Sequence, residues 1–418
     1  MAASTGHDQL RRARFGAPAV LAALVLLVFI VPLAGAQVPR VSHRAHRAHR
    51  THRRERAPGR GRPAAGASTG TAATANPVAP VITNPISALA APISTLVAST
   101  VVDPTTTTTP TPPATTSPPA TSTTPPSMAS PLAGLKWYVN PSSPAATQVA
   151  AWQAAQPANA AEIEKIATQP VAQWFGDWNS NVESAVSSTV GAAAAGGTVA
   201  QLVAYNIPER DCGGYSSGGA TSASAYETWI SQFAAGIGSH QAVVILEPDA
   251  LAGISCLSAA DQATRLSLLN YAVSTLTAHP GVFLYIDAGN SGWQSASTMA
   301  TRLTEAGVSK AQGFSLNVSN FYTTSLEESY GASISSLIGG KHYVIDTSRN
   351  GLGSDGQWCN PPGRALGTRP TVATGAFLVD AFLWIKYPGE SDGTCNGGPS
   401  AGTWWPSYAL GLAQSAAF

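Results

Sequence analysis

A large part of this sequence lacks the residues from which a folded core is built. Residues 37–130 contain no phenylalanine, tryptophan, tyrosine or cysteine, so they have little to bury and are predicted to be disordered. Their first section, residues 40–62, carries nine arginines and four histidines. It could bind an anionic cell-wall or membrane surface, or it could be only a solvated tail. Residues 104–126 are nearly all threonine, proline, serine and alanine, which predicts an extended linker.

The start of the chain lacks acidic residues apart from Asp8 and has one apolar run. The run spans residues 17–33 and is preceded by arginines. The small residues at 34–36 fit a cleavage site. The run is short for a membrane span and contains Pro18 and Pro32. Residues 1–36 are therefore predicted to be a signal peptide of a secreted protein, with an uncleaved membrane anchor as the alternative.

Residues 131–418 are short of positive charge. They hold 11 lysines and arginines against 19 aspartates and glutamates, a net charge of −8. This balance disfavours nucleic-acid binding, because phosphate contacts supply most of that affinity. No Gly-x-Gly-x-x-Gly motif opens a helix, so no nucleotide site is predicted. The segment also lacks a Cys-x-x-Cys pair and a helical His-x-x-x-His pair, so no metal and no other cofactor is predicted.

Only four cysteines occur, all in residues 131–418. In an exported domain they predict two disulfides, for which three pairings exist. We favour Cys212 with Cys256 and Cys359 with Cys395, because each cysteine lies near a carboxylate that follows an apolar run, or in the loop after it.

Apolar runs recur in this segment at the spacing of repeated β-α units. They are centred near Val203, Val244, Leu284, Leu316, Val344 and Leu383, about 28 to 41 residues apart. Helical patterns lie between them, as in residues 225–235 and 262–276. The alternation predicts an α/β fold with a parallel barrel that resembles a TIM barrel.

Polar side chains follow the ends of these runs. Residues 243–246 are uniformly apolar, as in a strand covered on both faces, and Pro248 ends the strand just before Asp249. Asp249 alone could simply cap the next helix. The other runs, however, are followed by Asp211, Asp287, Asn317 and Asn320, Asp346, and Lys386 with Glu390 and Asp392. Because the carboxyl ends of parallel strands meet at one edge, these residues predict an active-site rim.

Several carboxylates at one rim, with tryptophans in nearby loops, favour a glycosidase. Cleavage of an acetal needs an acid that protonates the leaving oxygen. A carboxyl group stays protonated near neutral pH only if burial or a neighbouring negative charge raises its pKa. The rings of Trp174, Trp293 and Trp358 could stack on the apolar faces of sugar rings.

Five ordered segments resemble the signatures of glycoside hydrolase family six. They read YNIPERDC at 205–212, LEPD at 246–249, YIDAG at 285–289, DTSRNG at 346–351 and KYPGESDG at 386–393. The resemblance covers about residues 136–415 and is greatest to the bacterial endoglucanases of that family. It implies a distorted seven-stranded barrel that hydrolyses the β-1,4 bonds of cellulose with inversion.

The resemblance also implies roles for the rim residues. Asp249 matches the general acid, and Asp211 matches a neighbour that raises the acid's pKa and helps to organise the attacking water. Asp392 is the candidate base, with a water chain to Asp211 as the alternative. Tyr205 would press on the distorted sugar ring. The other expected sugar contacts are Asp287, Asn290, Asn317, Asn320, Lys386, Glu390 and the three tryptophans named above.

Other positions have a structural reading as well. Many relatives have histidine after the Asp-Ala-Gly triplet, where this sequence has Asn290, which can bond a hydroxyl group but cannot become charged. Glu247 and Trp384 are expected to be structural. Asp346 and Arg349 could form a structural pair or contact a ligand.

The main hypothesis is a monomeric, secreted endo-β-1,4-glucanase. The alternatives are an exo-acting cellobiohydrolase of the same family and a sugar-binding cell-wall protein, although a binder would usually have lost a catalytic carboxylate. The prediction that the enzyme cuts inside chains depends on the length of the loops that could close over the cleft. Only 43 residues separate Cys212 from Cys256 and 35 separate Cys359 from Cys395, and several are glycine, serine or alanine, too small to roof a groove.

Overall fold

The structure is a computed structural model that describes residues 130–418. The predicted signal peptide and the predicted tail and linker therefore lie outside the described residues, apart from Ser130. None of the helices in the described part is both long and apolar enough to cross a membrane.

Within residues 130–418, seven parallel strands form one sheet that curls into a distorted barrel. They are β1 Gln173–Phe175, β2 Ala200–Ala204, β3 Ala242–Leu246, β4 Val282–Asp287, β5 Gly313–Leu316, β6 His342–Asp346 and β7 Val379–Leu383. Each strand pairs with the next one in the chain. The edge strands β1 and β7 meet at an isolated bridge, where the Ala172 N–H donates to the Trp384 carbonyl at 3.0 Å. The barrel therefore has a seam between β1 and β7.

This architecture confirms the predicted α/β barrel. Each predicted strand centre falls within one of the strands β2 to β7. Strand β1 is the one that no apolar run indicated. It is three residues long, and its side chains run from exposed Gln173 to buried Phe175, so it lacks the continuous apolar character of the others.

The same part of the chain forms eight α-helices. They are α1 Pro144–Trp152, α2 Pro157–Ala167, α3 Val182–Ala195, α4 Ala223–Ile237, α5 Ala259–Thr277, α6 Ala296–Glu305, α7 Thr324–Leu337 and α8 Pro406–Gln414. Serines begin several of them: the hydroxyl groups of Ser222, Ser258 and Ser295 each accept a backbone N–H of the first turn, which is the usual N-cap bond.

Alternate side chains of each strand enter two different cores. In β3, Val244 and Leu246 pack outward against the helices, whereas Val243 and Ile245 fill the barrel interior, as expected from the twofold period of a strand. Leu132 is fully buried in the interior cluster. Since both faces of the sheet are covered, the strand ends are left to carry polar groups.

Candidate active site

A cleft of about 470 Å³ lies beyond the carboxyl ends of the strands. It brings together ten of the residues predicted from the sequence. They are Trp174, Tyr205, Asp211, Asp249, Asn290, Trp293, Asn320, Trp358, Lys386 and Asp392. Its wall also includes Ser216, Ser319, Tyr322 and Gln357, which the sequence reasoning missed.

Asp249 lies two residues past Glu247 on the turn that follows β3. Both residues have positive φ angles, 50° at Glu247 and 70° at Asp249. Residues other than glycine rarely adopt such angles, and those that do cluster at functional sites. Asp287, the last residue of β4, holds this turn in place, because the Asp249 N–H donates to its Oδ2 at 2.9 Å. The Asp249 carboxyl group remains partly exposed, in the wall of the cleft.

The surroundings of Asp249 favour its neutral form. Burial raises its pKa well above the usual value, and the negative charges of Asp287, Asp211 and Asp392 raise it further, against the opposing charge of Lys386. Desolvation and like charge are the two causes that can keep a carboxylic acid protonated near neutral pH. Asp249 can therefore donate a proton.

Asp287 does not contact the cleft, so the prediction that it binds sugar hydroxyl groups is corrected. It is 1% exposed, and its carboxyl group accepts the N–H groups of Asp249 and Gly289 and the hydroxyl group of Ser315. Every one of these bonds is internal. Asp287 positions the acid's turn instead of touching a ligand.

Asp211 lies on the loop that follows β2 and lines the same cleft as Asp249. Its Oδ2 accepts the Ser216 N–H at 2.7 Å, so the loop curls around its own carboxylate. The Cys212–Cys256 disulfide ties this loop to the one that follows Asp249. The structure therefore has the first of the two favoured cysteine pairs, and the pair links the loops of two candidate catalytic residues.

The charge of Asp211 leads to a testable pH dependence. An acid catalyst must be protonated, so activity is lost on the alkaline side as pH rises through its pKa. Because Asp211 raises the pKa of Asp249, Asp211→Asn is expected to move the alkaline limb of the pH–rate profile to lower pH. Initial rates measured across pH check this.

Glu209→Gln is the matched control for this prediction. It removes the same charge from the same loop, but Glu209 is exposed and is not among the groups that shift the pKa of Asp249. An unmoved limb in Asp211→Asn, or an equal movement in Glu209→Gln, would contradict the assignment.

Asp392 is held ionised by two cations. Burial alone would raise its pKa, but the Arg349 guanidinium and the Lys386 ammonium bring the pKa below its usual value. Arg349 is fully buried and donates to Oδ2 of Asp392 at 2.8 Å, and Lys386 Nζ lies 3.6 Å from Oδ1. The Asn360 N–H also donates to Oδ2. The second favoured disulfide, Cys359–Cys395, joins the two segments that meet here.

Asp346 and Arg349 are structural, and they do not bond to each other. Asp346 is buried and accepts the N–H groups of Ser319, Ser348, Ile385 and Lys386. It thereby ties together the loops after β5, β6 and β7. Arg349 pairs with Asp392 instead. The structural pair that the sequence suggested between Asp346 and Arg349 is therefore not formed.

Four of the aromatic rings that line the cleft are those of Trp174, Tyr205, Trp293 and Trp358. The Tyr205 ring packs edge-on against Trp174 with 5.1 Å between centroids, and the Trp174 indole N–H donates across the seam to the Ile385 carbonyl. Trp293 and Trp358 are about half exposed. Exposed indole faces in a groove are suited to stacking on sugar rings.

Two further expected sugar contacts are not in the cleft wall. Asn317 is fully buried, and its side chain bonds to the backbone of Tyr322 and Asp346, so that prediction is wrong. Glu390 is only partly buried but is not among the residues that line the cleft. Asn290 does line it, and its side-chain oxygen accepts the Gly292 N–H.

Several carboxyl groups surround the rim without entering the cleft, and all except the partly exposed Glu390 are buried. Burial raises the pKa of Glu247, Glu327 and Glu390 to about 7 in each case, as it does for Asp287. Glu247 accepts the N–H groups of Asn206 and Ile207, which confirms its structural role. Trp384 is likewise a fully buried core residue.

The loop after Asp211 also contains a Gly-x-Ser-x-Gly sequence, at residues 214–218, a pattern found around the nucleophile of many serine hydrolases. The three histidines of the described part are His240, His279 and His342. His240 and His279 precede β3 and β4, and His342 is the first residue of β6, so all three lie at the end of the barrel away from the cleft. Within the described residues, Ser216 therefore has no histidine to act as its base. Among residues 130–418, no group of His, Cys, Asp or Glu side chains is placed to hold a metal ion.

The cleft combines a carboxyl group of raised pKa, a carboxylate of lowered pKa and exposed indole rings on a parallel barrel, which are the features expected of a carbohydrate hydrolase. A family model described as Glycosyl hydrolases family 6 matches residues 132–416. The chain belongs to glycoside hydrolase family 6.

Similar proteins agree with this membership. Endoglucanase A of Cellulomonas fimi is 48% identical over 282 residues, which cover 67% of this chain and 61% of that protein. Endoglucanase 1 of Streptomyces halstedii is 44% identical over 285 residues, which cover 65% and 87%. The solved endoglucanase Cel6 of Mycobacterium tuberculosis, in complex with methyl-cellobiosyl-4-deoxy-4-thio-β-D-cellobioside, has a TM-score of 0.66 and 49% identity, with 69% of this chain and 99% of that one covered.

Proposed function

We propose that this protein is an endo-β-1,4-glucanase that hydrolyses cellulose or a related glucan with inversion at the anomeric carbon. The observation that carries the proposal is the contrast between two carboxyl groups in one cleft. Burial and neighbouring carboxylates raise the pKa of Asp249, whereas Arg349 and Lys386 contact Asp392 and lower its pKa. The identity of 44–48% to bacterial endoglucanases supports the substrate class.

Asp249 is the general acid in this proposal. It protonates the glycosidic oxygen as the bond to the anomeric carbon breaks, and Asp287 holds its turn in place. The sugar then carries positive charge, which the Asp392 carboxylate stabilises through space. Tyr205, whose phenol is kept neutral because burial raises its pKa well above 10, supports the distorted ring from below.

Asp211 is the better proton acceptor of the two candidate bases. A carboxylate whose pKa has been lowered is a weaker base, and Asp392 is tied to Arg349 and Lys386. The Asp211 carboxylate has no cationic partner within 4 Å in the described part of the chain. We therefore assign it the proton of the attacking water, through a second water.

The rest of the chain completes the proposal. Residues 1–36 export the protein, residues 37–130 form a basic tail and a linker, and residues 131–418 are a catalytic domain that acts as a monomer. The basic section would hold the enzyme near an anionic wall or membrane surface. This part of the proposal is supported by the composition of the sequence.

The proposal is tested by following one digestion of a soluble substituted cellulose in two ways. An endo-acting enzyme cuts internal bonds, so viscosity is expected to fall much faster than reducing ends accumulate. Cellobiose as nearly the only early product, with little change in viscosity, would favour a cellobiohydrolase. Binding to cellulose without release of reducing ends would favour a sugar-binding protein.

The same sample tests the stereochemistry. Inverting enzymes admit a water between their carboxyl groups, which attacks the face opposite the leaving group. Proton NMR of a cello-oligosaccharide digest is therefore expected to detect the α-anomer first, before mutarotation. An initial β-anomer would overturn the inverting mechanism.

A further inference from the structure

Arg265 is a buried cation that the proposed reaction does not use. It lies in α5 and is 3% exposed. Within the described residues, no carboxylate lies within 4 Å of its guanidinium. Its partners are backbone carbonyls instead. Nη2 donates to Pro208 and Glu209, both at 2.8 Å, and Nη1 donates to Ala250 at 3.4 Å.

These carbonyls belong to the turns that carry the two carboxyl groups proposed for proton transfer. The first two precede Asp211 by three and two residues, and Ala250 follows Asp249 directly. Arg265 also lines a side cavity of about 410 Å³ together with Asp211 and Asp249. One guanidinium therefore joins the turn after β2 to the turn after β3, close to both carboxyl groups.

The backbone of both turns has to be held in place. Both turns contain residues other than glycine with φ angles between 50° and 70°, including Glu209, Asp211, Glu247 and Asp249. Such conformations persist only where the surrounding structure fixes them. Glu247 accepts the N–H groups of Asn206 and Ile207, and Arg265 donates to carbonyls of both turns. The two turns are thus fixed to each other through their N–H groups and through their carbonyls.

We propose that Arg265 is a positioning residue that sets the placement of Asp211 relative to Asp249. It is not among the residues that line the cleft, so it acts through the two turns. It holds them so that the general acid meets the leaving oxygen while the proton acceptor meets the attacking water. A guanidinium suits this task because its planar fork carries several N–H donors in a fixed geometry. This inference rests on the proposed function, since it concerns the same reaction.

Removal of the fork is expected to affect kcat more than KM. Arg265→Met should lower kcat on a short cello-oligosaccharide by about 10- to 100-fold, because a small misplacement of a catalytic group is costly. KM should change by less than about threefold, because the residues of the cleft wall remain. Arg302→Met is the matched control. Arg302 is an arginine of α6 that donates only to carbonyls of the turn after β3, those of Leu251 and Ala252, so its kcat should stay within about twofold of wild type.

The pH–rate profile separates placement from charge. Burial raises the pKa of Asp249 most, and three carboxylates raise it further against one cation, namely Asp287, Asp211, Asp392 and Lys386. The titratable groups that face Arg265 are Glu247, Glu209, Tyr205 and Tyr226. Loss of a nearby positive charge alone would raise the pKa of Asp249 and move the alkaline limb to higher pH. Displacement of Asp211 would weaken the repulsion and move the limb to lower pH.

We therefore expect Arg265→Met to move the alkaline limb to lower pH and Arg302→Met to leave it in place. In the background of Asp211→Asn, Arg265→Met should move the limb less and lower kcat by a smaller factor, because the effects of coupled residues do not add. A purely structural role would give the same loss of kcat in both backgrounds and no movement of the limb, which would overturn the proposal.

Arg265→Lys covers the case in which the methionine variant does not fold. It keeps the positive charge beside the same groups, but one ammonium replaces the planar fork. Its kcat should fall and its alkaline limb should move in the same direction, both by less than in Arg265→Met. A folded lysine variant with the kcat and the pH profile of wild type would overturn the proposal.

Hydrogen exchange without substrate tests the contact apart from the reaction. The amides of residues 206–211 and 249–252 should both exchange faster in Arg265→Lys than in wild type, whereas only the second segment should do so in Arg302→Met. Unchanged exchange of both segments in Arg265→Lys would overturn the positioning role. A wild type without activity on glucans would refute the proposed function instead, and the exchange experiment would still decide whether Arg265 joins the two turns.

Discussion

Replacement of Asp249 by alanine is expected to remove most activity on cellulose but much less on a substrate with an acidic leaving group. Proton transfer by a positioned acid contributes about 10²–10⁴-fold to a rate. A leaving group such as a nitrophenolate departs without a proton, so this contribution is absent for it from the start. Steady-state kcat/KM for both substrates, measured on wild type and variant, gives the two losses.

The backbone at Asp249 calls for a second variant. Its φ of 70° is unfavourable for alanine but tolerated by asparagine. Asp249→Asn therefore removes the proton while retaining the turn. If both variants lose the same factor on both substrates, Asp249 does not act as the acid. If only the alanine variant loses activity on the acidic leaving group, that loss belongs to the backbone.

Replacement of Arg349 by methionine is expected to cause the largest loss of stability. Arg349 is 0% exposed and pairs with Asp392 at 2.8 Å, and its guanidinium lies 4.3 Å from the centroid of the Phe321 ring. Removal of one partner of a buried pair leaves an uncompensated charge and typically lowers the free energy of unfolding by about 3–5 kcal/mol. Urea denaturation at pH 7 measures the change.

A surface pair in the same structure provides the control. Arg364 is partly exposed and lies 3.8 Å from Asp355, a geometry usually worth at most about 1 kcal/mol. Arg364→Met should therefore cost far less than Arg349→Met. The further change Asp392→Asn should recover part of the loss in Arg349→Met, since it removes the unpaired charge. Equal costs for the two arginines would show that the buried pair is not what stabilises this region.

The sequence predicted the strands better than it predicted the side chains at their ends. Continuous apolar runs mark β2 to β7 because both faces of a parallel sheet are covered. The short strand β1 lacks such a run. Its residues are held in the barrel by pairing with Leu202–Ala204 of β2, and Val171, two residues before the strand, pairs with Trp384. Only the family resemblance indicated a seventh strand.

The direction of each polar side chain at the rim could not be read from the sequence. Asp249 and Asn317 follow strands in the same way, and both have positive φ angles. Asp249 reaches the cleft, however, whereas Asn317 bonds to the backbone of neighbouring loops. Asp287 is turned inward because the N–H groups of Asp249 and Gly289 need an acceptor there. Such choices depend on which loops the fold brings together.

The residues that the sequence reasoning missed lie in loops of small and polar residues. Ser216 lies in a Gly-x-Ser-x-Gly sequence, a pattern that points to a serine hydrolase and not to a glycosidase, and Gln357 is one polar residue among many. Only the folded structure brings both side chains into the wall of the cleft.

The buried carboxyl groups around the rim make folding a reaction that takes up protons. Glu247, Asp287, Glu327 and Glu390 have pKa values of about 7 in the folded protein, against 4.5 for a glutamate and 3.8 for an aspartate in water. Between those values the native chain binds more protons than the unfolded one. Their contribution to stability is therefore fully present below the unfolded pKa values of 3.8 and 4.5, and it is lost progressively as pH rises from there to about 7. An acidic medium therefore favours both the folded state of the enzyme and the protonated form of its general acid, Asp249.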